Sequence, residues 1–383
     1  MYDVSLVKCG EYDFARVKEA MKEVLLPIGG LDWIEPGMKI VIKANLVAGI
    51  APGKAATTHP AVLSALTELV CEKGASVVIG DSPGGLYNKT YVNRIYSVTG
   101  VHEAENHGAV LNQDFSQKTV DNPGGKVLKN FTYTAYLDDA DGIIDFCKLK
   151  SHGMMGMSNA AKNMFGAIPG TIKPEYHYKF PDYDNFADMI VDIDEYFKPR
   201  LSIADAITGM EGNGPTAGTP RFMGFLAASM SPHKLDLVCA EILGMTPETV
   251  PTLSAAIRRG LIPEKASELN LNADISEFAV ESFKYPTSKK GLDFSGGGNN
   301  PFMKAVSLML GKALRSIPKV NKNECVACGV CAKVCPAKAI TIENKKLTID
   351  RDKCIRCFCC QEFCPKGAMK VHRPIIARIA DKL

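Results

Sequence analysis

The chain has 383 residues, of which 46% are hydrophobic and 23% charged, the balance of a globular protein with two or three domains. No run approaches the roughly 18 consecutive apolar residues of a membrane span, and no basic region followed by an apolar run opens the sequence, so we expect a cytoplasmic protein. Residues 319–383 carry a net charge of +8 and the rest of the chain −5, which gives +3 overall. Because cysteine thiolates are interleaved with the basic residues of 319–383, nucleic-acid binding is not expected.

Between Met38 and about Val280, short apolar runs alternate with helical patterns. This alternation predicts an α/β domain with a largely parallel sheet, which we assign to residues 1–290. The predicted strands are Lys39–Lys43, Ser76–Gly80, Gly142–Cys147, Leu201–Ala204 and Phe222–Ala228. The predicted helices are Pro60–Lys73, Met157–Phe165 and His233–Leu243.

Polar side chains follow most of these predicted strands. In open α/β sheets, ligands bind beyond the carboxyl ends of the strands, so we expect these groups to share one rim. The lysines favour an anionic ligand carrying carboxylates or phosphates, and the histidines and acids are suited to proton transfer. The candidate catalytic residues are Lys43, Lys150, His152, Lys162 and Glu211. The candidate cofactor-binding residues are Asn45, His59, Asp81, Ser82, Lys148, Asn163 and Asp205.

Each of these residues also has a purely structural interpretation. Asp or Ser after a strand commonly fixes a turn or caps a helix, and Thr58-His59-Pro60 is a favourable helix start. Neither a Walker A sequence nor a G-x-G-x-x-G fingerprint occurs, which disfavours P-loop nucleotide and nicotinamide chemistry. A further organic cofactor is left undetermined, because flavins have no obligatory short motif.

This part of the chain resembles the domain of unknown function family 362. The resemblance rests on Lys43-Ala44-Asn45-Leu46-Val47, Thr58-His59-Pro60, Gly80-Asp81-Ser82-Pro83-Gly84-Gly85, Lys150-Ser151-His152, Lys162-Asn163-Met164-Phe165-Gly166 and Glu211-Gly212-Asn213-Gly214-Pro215. Members are often joined to a two-cluster ferredoxin module and are called iron–sulfur cluster-binding proteins, so the resemblance implies that module and no established reaction. The region is also distantly similar to the lactate racemase family, whose enzymes handle hydroxy acids with a nickel-pincer cofactor, and no residue is carried over from it.

Residues 291–318 are predicted to join two domains. The segment Leu292–Asn300 is rich in glycine and asparagine, which is typical of a linker. Apolar residues then recur at helical spacing, which predicts an amphipathic helix that docks the following domain on the larger one, or else binds a membrane surface or a partner. These apolar residues are Phe302, Val306, Met309, Leu310 and Ala313.

Eight cysteines form two copies of the pattern C-x2-C-x2-C-x3-C-P, with matching positions 29 residues apart. Three closely spaced thiolates hold one [4Fe–4S] cluster, and the fourth, before the proline, reaches the neighbouring cluster. Residues 319–372 are therefore predicted to hold two [4Fe–4S] clusters. The predicted ligands of the first are Cys325, Cys328, Cys331 and Cys364, and those of the second are Cys354, Cys357, Cys360 and Cys335. Zinc is disfavoured because zinc ribbons use two separated CxxC pairs, and Cys359 is interpreted as a small residue beside a cluster.

From about Asn321 to His372 the chain resembles the bacterial two-[4Fe–4S] ferredoxins. The resemblance implies a small α+β unit in two pseudo-symmetric halves, with strands near Ala339–Ile342, Lys346–Ile349 and Ala368–Val371. Two adjacent clusters suit the relay of single electrons, and the basic surface would attract an acidic redox-partner protein.

Three functions remain open on the sequence alone. The first is an oxidoreductase, adapted to anaerobic conditions, that passes electrons between an external carrier protein and an anionic small molecule in the α/β cleft. The second is an electron-carrier or partner-activating module without substrate chemistry of its own. The third is a non-redox enzyme, such as an isomerase, whose clusters are structural or sense redox state. The tail, Arg373–Leu383, is expected to pack on the chain's own domains.

Overall fold

The structure is a computed structural model that describes residues 1–286 and 316–372 of the chain. The predicted joint and amphipathic helix over residues 291–315 and the predicted tail over residues 373–383 lie outside the described residues. Among the helices that are described, none combines the length and the apolar character needed to cross a membrane.

A mixed sheet forms the centre of residues 1–286. The strands of this part are β1 (Val4–Lys8), β2 (Lys39–Ala44), β3 (Ser76–Gly80), β4 (Ala109–Leu111), β5 (Gln117–Asp121), β6 (Asn130–Thr134), β7 (Gly142–His152), β8 (Gly156–Ser158), β9 (Leu201–Glu211) and β10 (Thr219–Ser229). The sheet order is β1-β10-β9-β7-β2-β3-β4, with β8 paired to β7, while β5 and β6 pair separately. The run from β9 through β7, β2 and β3 to β4 is parallel, and β10 and β1 add antiparallel strands at one edge. The predicted α/β class with a largely parallel sheet is confirmed.

Helices cover both faces of this sheet, as the hydrophobic strands require. The α-helices are α1 (Phe14–Leu25), α2 (Pro60–Glu72), α3 (Lys89–Thr99), α4 (Ala160–Asn163), α5 (Lys173–Lys179), α6 (Tyr183–Phe197), α7 (Pro232–Ile242) and α8 (Pro251–Arg258). One apolar core packs α1, α2 and α3 against β2 and β3. A second core packs α7 and α8 against β9 and β10, and a third surrounds α6.

The two long central strands run further than the sequence predicts. Strand β7 continues through His152 instead of ending at Cys147, and β9 continues through Glu211 instead of ending at Ala204. All eleven residues of β7 are buried. The strand is paired with β9 as far as Lys150 and with β8 from Lys150 to His152, so it stays in the sheet to its end. The lysines that looked like loop residues are therefore strand residues with buried side chains.

The predicted helix over Met157–Phe165 is replaced by the end of β8 and the short helix α4. The carboxylate of Asp236 explains where this helix begins. Its two oxygens accept hydrogen bonds from the backbone N–H groups of Ala160 (2.8 Å) and Ala161 (3.2 Å), which are the first N–H groups of α4.

The C-terminal part consists of two similar halves. Its strands are β11 (Ile317–Val320), β12 (Ile340–Glu343), β13 (Lys346–Ile349) and β14 (Met369–His372), and its short helices are α9 (Val330–Lys333) and α10 (Cys359–Glu362). Strand β11 pairs with β14 and β12 pairs with β13, each antiparallel. The three strands predicted here are confirmed to within one residue, and β11 is an additional one.

Candidate functional site

A cavity of about 1260 Å³ lies between the α/β domain and the C-terminal module. The α/β side is formed by the ends of β2 and β3, by α4 and by α5, while the opposite side comes from residues 324–370. Cys335 and Cys364, one from each half of the module, are among the lining residues. The cavity thus brings the predicted strand-end residues and the cysteine motifs to one place.

The floor of the cavity is a network of amide and ammonium groups. Asn163 lies at its centre, because its Oδ1 accepts hydrogen bonds from Lys43 Nζ (3.0 Å) and from Asn45 Nδ2 (2.8 Å). Lys150 Nζ donates to Asn45 Oδ1 (2.9 Å) and to the carbonyl of Ala56 (2.7 Å). An ammonium group has three donors, so Lys150 keeps one for a ligand.

Asp81 holds the Lys43 ammonium in place. Its Oδ1 lies 2.7 Å from Lys43 Nζ, and its Oδ2 accepts the backbone N–H of Leu46 at 2.7 Å. A glycine at position 166 makes this possible, because a Cβ there would lie 2.2 Å from Lys43 Nζ and 2.3 Å from Asp81 Oδ1. Next to it, Ser82 Oγ accepts the backbone N–H of Gly170 at 2.8 Å.

Ten basic side chains line the cavity against four acidic ones, so it attracts anions. Burial lowers the pKa of Lys150 to about 7, and the charges of Lys162 and Lys148 act in the same direction. Burial also lowers the pKa of Lys173 to about 7, although Lys173 Nζ donates to the carbonyl of Ser82. An anion bound beside these groups would restore their charge, because an opposite charge favours the protonated form.

The contact that closes the cavity on the side of the C-terminal module is between His152 and Glu362. His152 Nε2 lies 2.8 Å from Glu362 Oε1, and its Nδ1 accepts the backbone N–H groups of Met154 and Met155, each at 3.1 Å. Burial lowers the pKa of His152 to about 4, with Lys162 acting in the same direction, so the ring is neutral and Nε2 carries its proton. Burial alone would raise the pKa of Glu362, but Lys162 and His152 hold it well below its ordinary value.

The two domains are joined further by direct hydrogen bonds. Gln361 Nε2 donates to the carbonyls of Asn213 (2.8 Å) and Gly214 (2.9 Å), and Asn213 Oδ1 accepts the backbone N–H of Val371 at 3.0 Å. Phe358, from the loop before α10, is buried in the core around α6. The module is therefore seated on the α/β domain by both polar and apolar contacts.

Four of the predicted site residues lie elsewhere. Lys148 Nζ lies 2.8 Å from Asp205 Oδ2 and donates to Tyr12 Oη at 2.8 Å, while the ring of His59 stacks on Tyr12 at 3.7 Å. His59 also caps α2 through Nδ1, as its structural interpretation predicts. Glu211 accepts the backbone N–H of Lys284 at 3.2 Å. These groups have protein partners and do not line the cavity.

The structure brings together seven of the predicted residues on the cavity wall. They are Lys43, Asn45, Asp81, Ser82, Lys150, Lys162 and Asn163, and His152 contacts the wall through Glu362. Sequence reasoning missed Lys173, His177 and Glu362, which also line it. Lys173 follows the Lys162–Gly166 motif by a few residues, and that proximity was the only available signal for it. Nothing in the sequence around Glu362 indicated its role.

The eight motif cysteines surround two small cavities inside the module. One is lined by Cys325, Cys328, Cys331 and Cys364, and the other by Cys335, Cys354, Cys357 and Cys360. Two sets of four converging thiols are a donor set suited to two [4Fe–4S] clusters, so the residues present fit that group. All 13 cysteines lie in the described residues and are free of disulfides. Cys359 is buried and lines the second cavity beside its neighbours.

Comparison with known proteins finds two families in this chain. Residues 40–241 match the family described as Domain of unknown function (DUF362), and residues 317–365 match the 4Fe-4S dicluster domain. The C-terminal part is thus an iron–sulfur, ferredoxin-type electron-transfer module, which confirms that part of the prediction. The Thylakoid-associated protein sll1697 of Synechocystis sp. is 34% identical over 300 residues, covering 76% of this chain and 90% of that protein.

Two solved structures are matched at low sequence identity and low TM-score. The lactate racemase apoprotein from Thermoanaerobacterium thermosaccharolyticum has a TM-score of 0.39 and 13% identity, covering 64% of this chain and 58% of that one. A protein from Thermotoga maritima has a TM-score of 0.34 and 11% identity, covering 57% and 56% respectively. In both cases this chain spans less than two thirds of the solved chain.

Proposed function

Because the chain belongs to the Domain of unknown function (DUF362) family and carries a 4Fe-4S dicluster domain, we propose that it is an oxidoreductase that exchanges single electrons with an anionic ligand. The ligand binds in the cavity between the two domains, and an external redox protein supplies or accepts the electrons. The observation that carries the proposal is that one cavity is lined both by the lysine and asparagine network and by a cysteine from each four-thiol set.

Each four-thiol set holds one [4Fe–4S] cluster in this proposal. The first set is Cys325, Cys328, Cys331 and Cys364, and the second is Cys335, Cys354, Cys357 and Cys360. When bound, the clusters accept and donate one electron at a time. A reducing cytoplasmic location is part of the proposal, because unpaired thiols must be protected from disulfide formation.

Exposure suggests where the redox partner contacts the module. Cys328 of the first set is exposed and the neighbouring Val326 is 60% exposed, although Cys331 of that set is buried; in the second set Cys357 and Cys360 are buried, and no cysteine is exposed. The partner therefore has access to the first set, and the second set lies toward the α/β domain, where Phe358 is buried. An acidic partner surface would suit the basic module.

The α/β domain binds and orients the ligand. Lys150, Lys162 and Lys173 present ammonium groups toward the cavity and hold carboxylate or phosphate oxygens. Lys43 is held by Asp81, so the position of its charge is set before the ligand arrives. His152 has both ring nitrogens engaged, which suits a role in seating Glu362 and shaping the cavity.

Native mass spectrometry of the anaerobically purified full-length protein tests this function. We expect about eight iron ions and eight sulfides per chain, in two cubanes. We also expect either a retained anionic compound or tight binding of inorganic pyrophosphate, which serves as the probe. Lys150→Ala and Lys162→Ala should weaken pyrophosphate binding while keeping the iron, and Lys89→Ala, an exposed lysine outside the cavity, should change neither. Two cubanes with no anion binding would instead indicate a simple electron carrier, and bound zinc would refute the proposal.

A further inference from the structure

One side of the cavity is lined by apolar side chains. They come from three segments of the α/β domain, which are the loop after β2, the loop after β3 and helix α3. We call these side chains the apolar wall: Val47, Ile50, Leu86, Tyr91, Ile95 and Val98. A carboxylate or phosphate ion alone would use the lysines and asparagines of the floor and would gain nothing from such a wall.

Contacts among the three segments make the apolar wall one continuous surface. The backbone N–H of Gly84 donates to the carbonyl of Val47 at 2.9 Å, and Tyr91 Oη donates to the carbonyl of Gly84 at 2.9 Å. A Cβ added to Gly49 would lie 3.9 Å from Val98 Cβ, so the loop after β2 also packs on α3. Single exposed apolar residues are common on proteins, but a connected group that lines a cavity indicates a ligand.

The apolar wall begins where the polar floor ends. Both loops start at the floor, with Asn45 after β2 and Asp81 after β3, and each reaches the wall five positions later, at Ile50 and at Leu86. Asn45 and Asp81 are buried, whereas Leu86 is 56% exposed and Val98 is 40% exposed. Five residues span at most about 17 Å, so one small molecule can contact the floor and the wall together.

The C-terminal module adds apolar groups on its own side of the cavity. A Cβ added to Gly84 would lie 3.0 Å from Cε1 of Phe363, so this ring packs on the loop after β3. Phe363 directly precedes Cys364, and Val334 directly precedes Cys335; all four residues line the cavity. Apolar side chains from both domains thus line the cavity together with a cysteine of each four-thiol set.

The size of the cavity also indicates a ligand larger than a simple anion. Its volume of about 1260 Å³ exceeds the roughly 300–1,000 Å³ that is usual for sites of small molecules. Such sites are mostly apolar, and a few polar groups fix the orientation of the ligand. The floor and the apolar wall divide this cavity in the same way.

We propose that the ligand is an amphiphilic anion, in which a carboxylate or phosphate group is joined to an apolar body. The floor binds the anionic group through Lys150, and the apolar body lies along the wall at Leu86 and Val98. The inference rests on the proposed function and names the class of ligand that its cavity takes. Inorganic anions and fully polar metabolites would fill only the floor.

A series of alkyl phosphates tests this class of ligand. Methyl, butyl and hexyl phosphate carry the same anionic group and differ only in apolar length. Calorimetric titration of the anaerobic full-length holoprotein measures their affinities. We expect affinity to rise about threefold to fourfold for each added methylene, the gain for burying one such group, so hexyl phosphate should bind at least about 100-fold more tightly than methyl phosphate.

Substitutions then locate the gain on the apolar wall. The double variant Leu86→Asn with Val98→Thr should lower the ratio of hexyl to methyl phosphate affinity about tenfold, because it removes apolar surface without adding charge. Lys150→Ala should weaken the binding of both compounds and keep their ratio. The matched control is Leu26→Asn with Val110→Thr, which changes an exposed leucine and an exposed valine outside the cavity and should alter neither affinity nor ratio.

Two results would overturn the inference. One is an affinity that does not change along the alkyl series, and the other is a ratio that the double variant leaves as high as in the wild type. Circular dichroism establishes that the variants are folded. If the double variant does not fold, Val98→Thr alone takes its place, since it is a change of similar shape on the exposed surface of a helix.

A separate measurement distinguishes this inference from the proposed function. After excess reductant is removed, the reduced module should pass electrons to anthraquinone-2-carboxylate, whose quinone takes up two electrons, and two protons from the buffer, to become the hydroquinone. Visible absorbance follows this reoxidation, which Lys150→Ala should slow. If that variant has no effect while the alkyl series and the double variant behave as expected, the proposed function fails and the amphiphilic site remains. If reoxidation depends on Lys150 and the alkyl series is flat, only this inference fails.

Discussion

His152 Nε2 lies 2.8 Å from Glu362 Oε1, and this contact joins the last residue of a central strand to the last residue of a helix in the iron–sulfur module. Glu362 lies two residues from Cys360 and two from Cys364, which belong to different four-thiol sets. The contact therefore fixes the position of both sets relative to the sheet.

Removing the Glu362 carboxylate should weaken the attachment of the module. In Glu362→Ala the buried N–H of His152 is left without an acceptor, at a cost on the order of 2 kcal/mol in the free energy of unfolding. Glu362→Gln keeps an acceptor oxygen and should cost less. Urea unfolding of the anaerobic holoprotein measures both, and Glu343→Ala, an exposed acid of the same module, is the control. Equal stability of Glu362→Ala and that control would contradict the prediction.

The cysteine assignment predicts which substitutions remove iron. Cys364→Ala should reduce the iron content by about half, because it removes one ligand of one cluster. Cys359→Ala should retain all of the iron, since it leaves both four-thiol sets complete although Cys359 is buried beside the second. Iron and sulfide analysis after anaerobic reconstitution makes the comparison. Loss of iron from Cys359→Ala, or full retention in Cys364→Ala, would show that the assignment is wrong.

Anion binding in the cavity should depend on pH through Lys150. The pKa of Lys150 is lowered to about 7 without a ligand, and a bound anion favours its charged form. Affinity for pyrophosphate should therefore be full below pH 7 and should decline above it, by up to about tenfold per pH unit for each such lysine. Calorimetric titration between pH 6 and about pH 9 measures this decline. Lys150→Met should make the decline shallower and leave the part contributed by Lys173, and a profile unchanged by that substitution would contradict the assignment.

Substituting Gly166 should damage the Lys43–Asp81 pair. The Cβ of Gly166→Ala would lie 2.2 Å from Lys43 Nζ, so the ammonium has to move away from its carboxylate. We expect a loss of about 1–3 kcal/mol in stability together with weaker anion binding. Gly10→Ala is the matched control, because nothing lies within 4 Å of its added Cβ. Thermal unfolding and pyrophosphate titration of both variants provide the measurement, and similar behaviour of the two would show that the Lys43–Asp81 pair does not need a glycine at position 166.

The buried carboxyl group of Asp145 should make the protein less stable as pH rises. The pKa of Asp145 is raised from 3.8 to about 8, so between these values the folded state binds more protons than the unfolded state. Stability contributed by this group is full below pH 4 and is lost as the pH rises toward 8, with a slope of at most about 1.4 kcal/mol per pH unit. Asp145→Asn should remove that slope from the unfolding free energy measured across this range. An identical slope in the variant would show that Asp145 ionises normally.

Short-range patterns accounted for most of the architecture. The spacing of Cys325 to Cys364 predicts the iron–sulfur module, because ligand geometry leaves few alternatives for two such repeats. Alternating strands and helices predict the α/β class, since each apolar strand needs helices on both faces. The strands β2 and β3 were therefore predicted almost to the residue.

Contacts between residues far apart in the chain could not be predicted from the sequence. Lys148 and Lys150 look like loop residues in sequence, and they remain in a buried strand because Asp205 and Asn45, far away in the chain, supply their partners. His59 and Asp205 appeared to belong to one rim with Lys43, but Tyr12 holds them in a separate cluster, because its ring stacks on His59 and its hydroxyl donates a hydrogen bond to Asp205. The role of Glu362 depends on how two domains meet, which no local pattern records.

The cavity between the domains also has a consequence for how the protein matures. Its far wall is built from residues 324–370, which leave the ribosome after the whole α/β domain. The cavity is therefore complete only after the module has folded and docked. Under the proposed function, damage that unfolds the module would remove one wall of the ligand site and the electron path together.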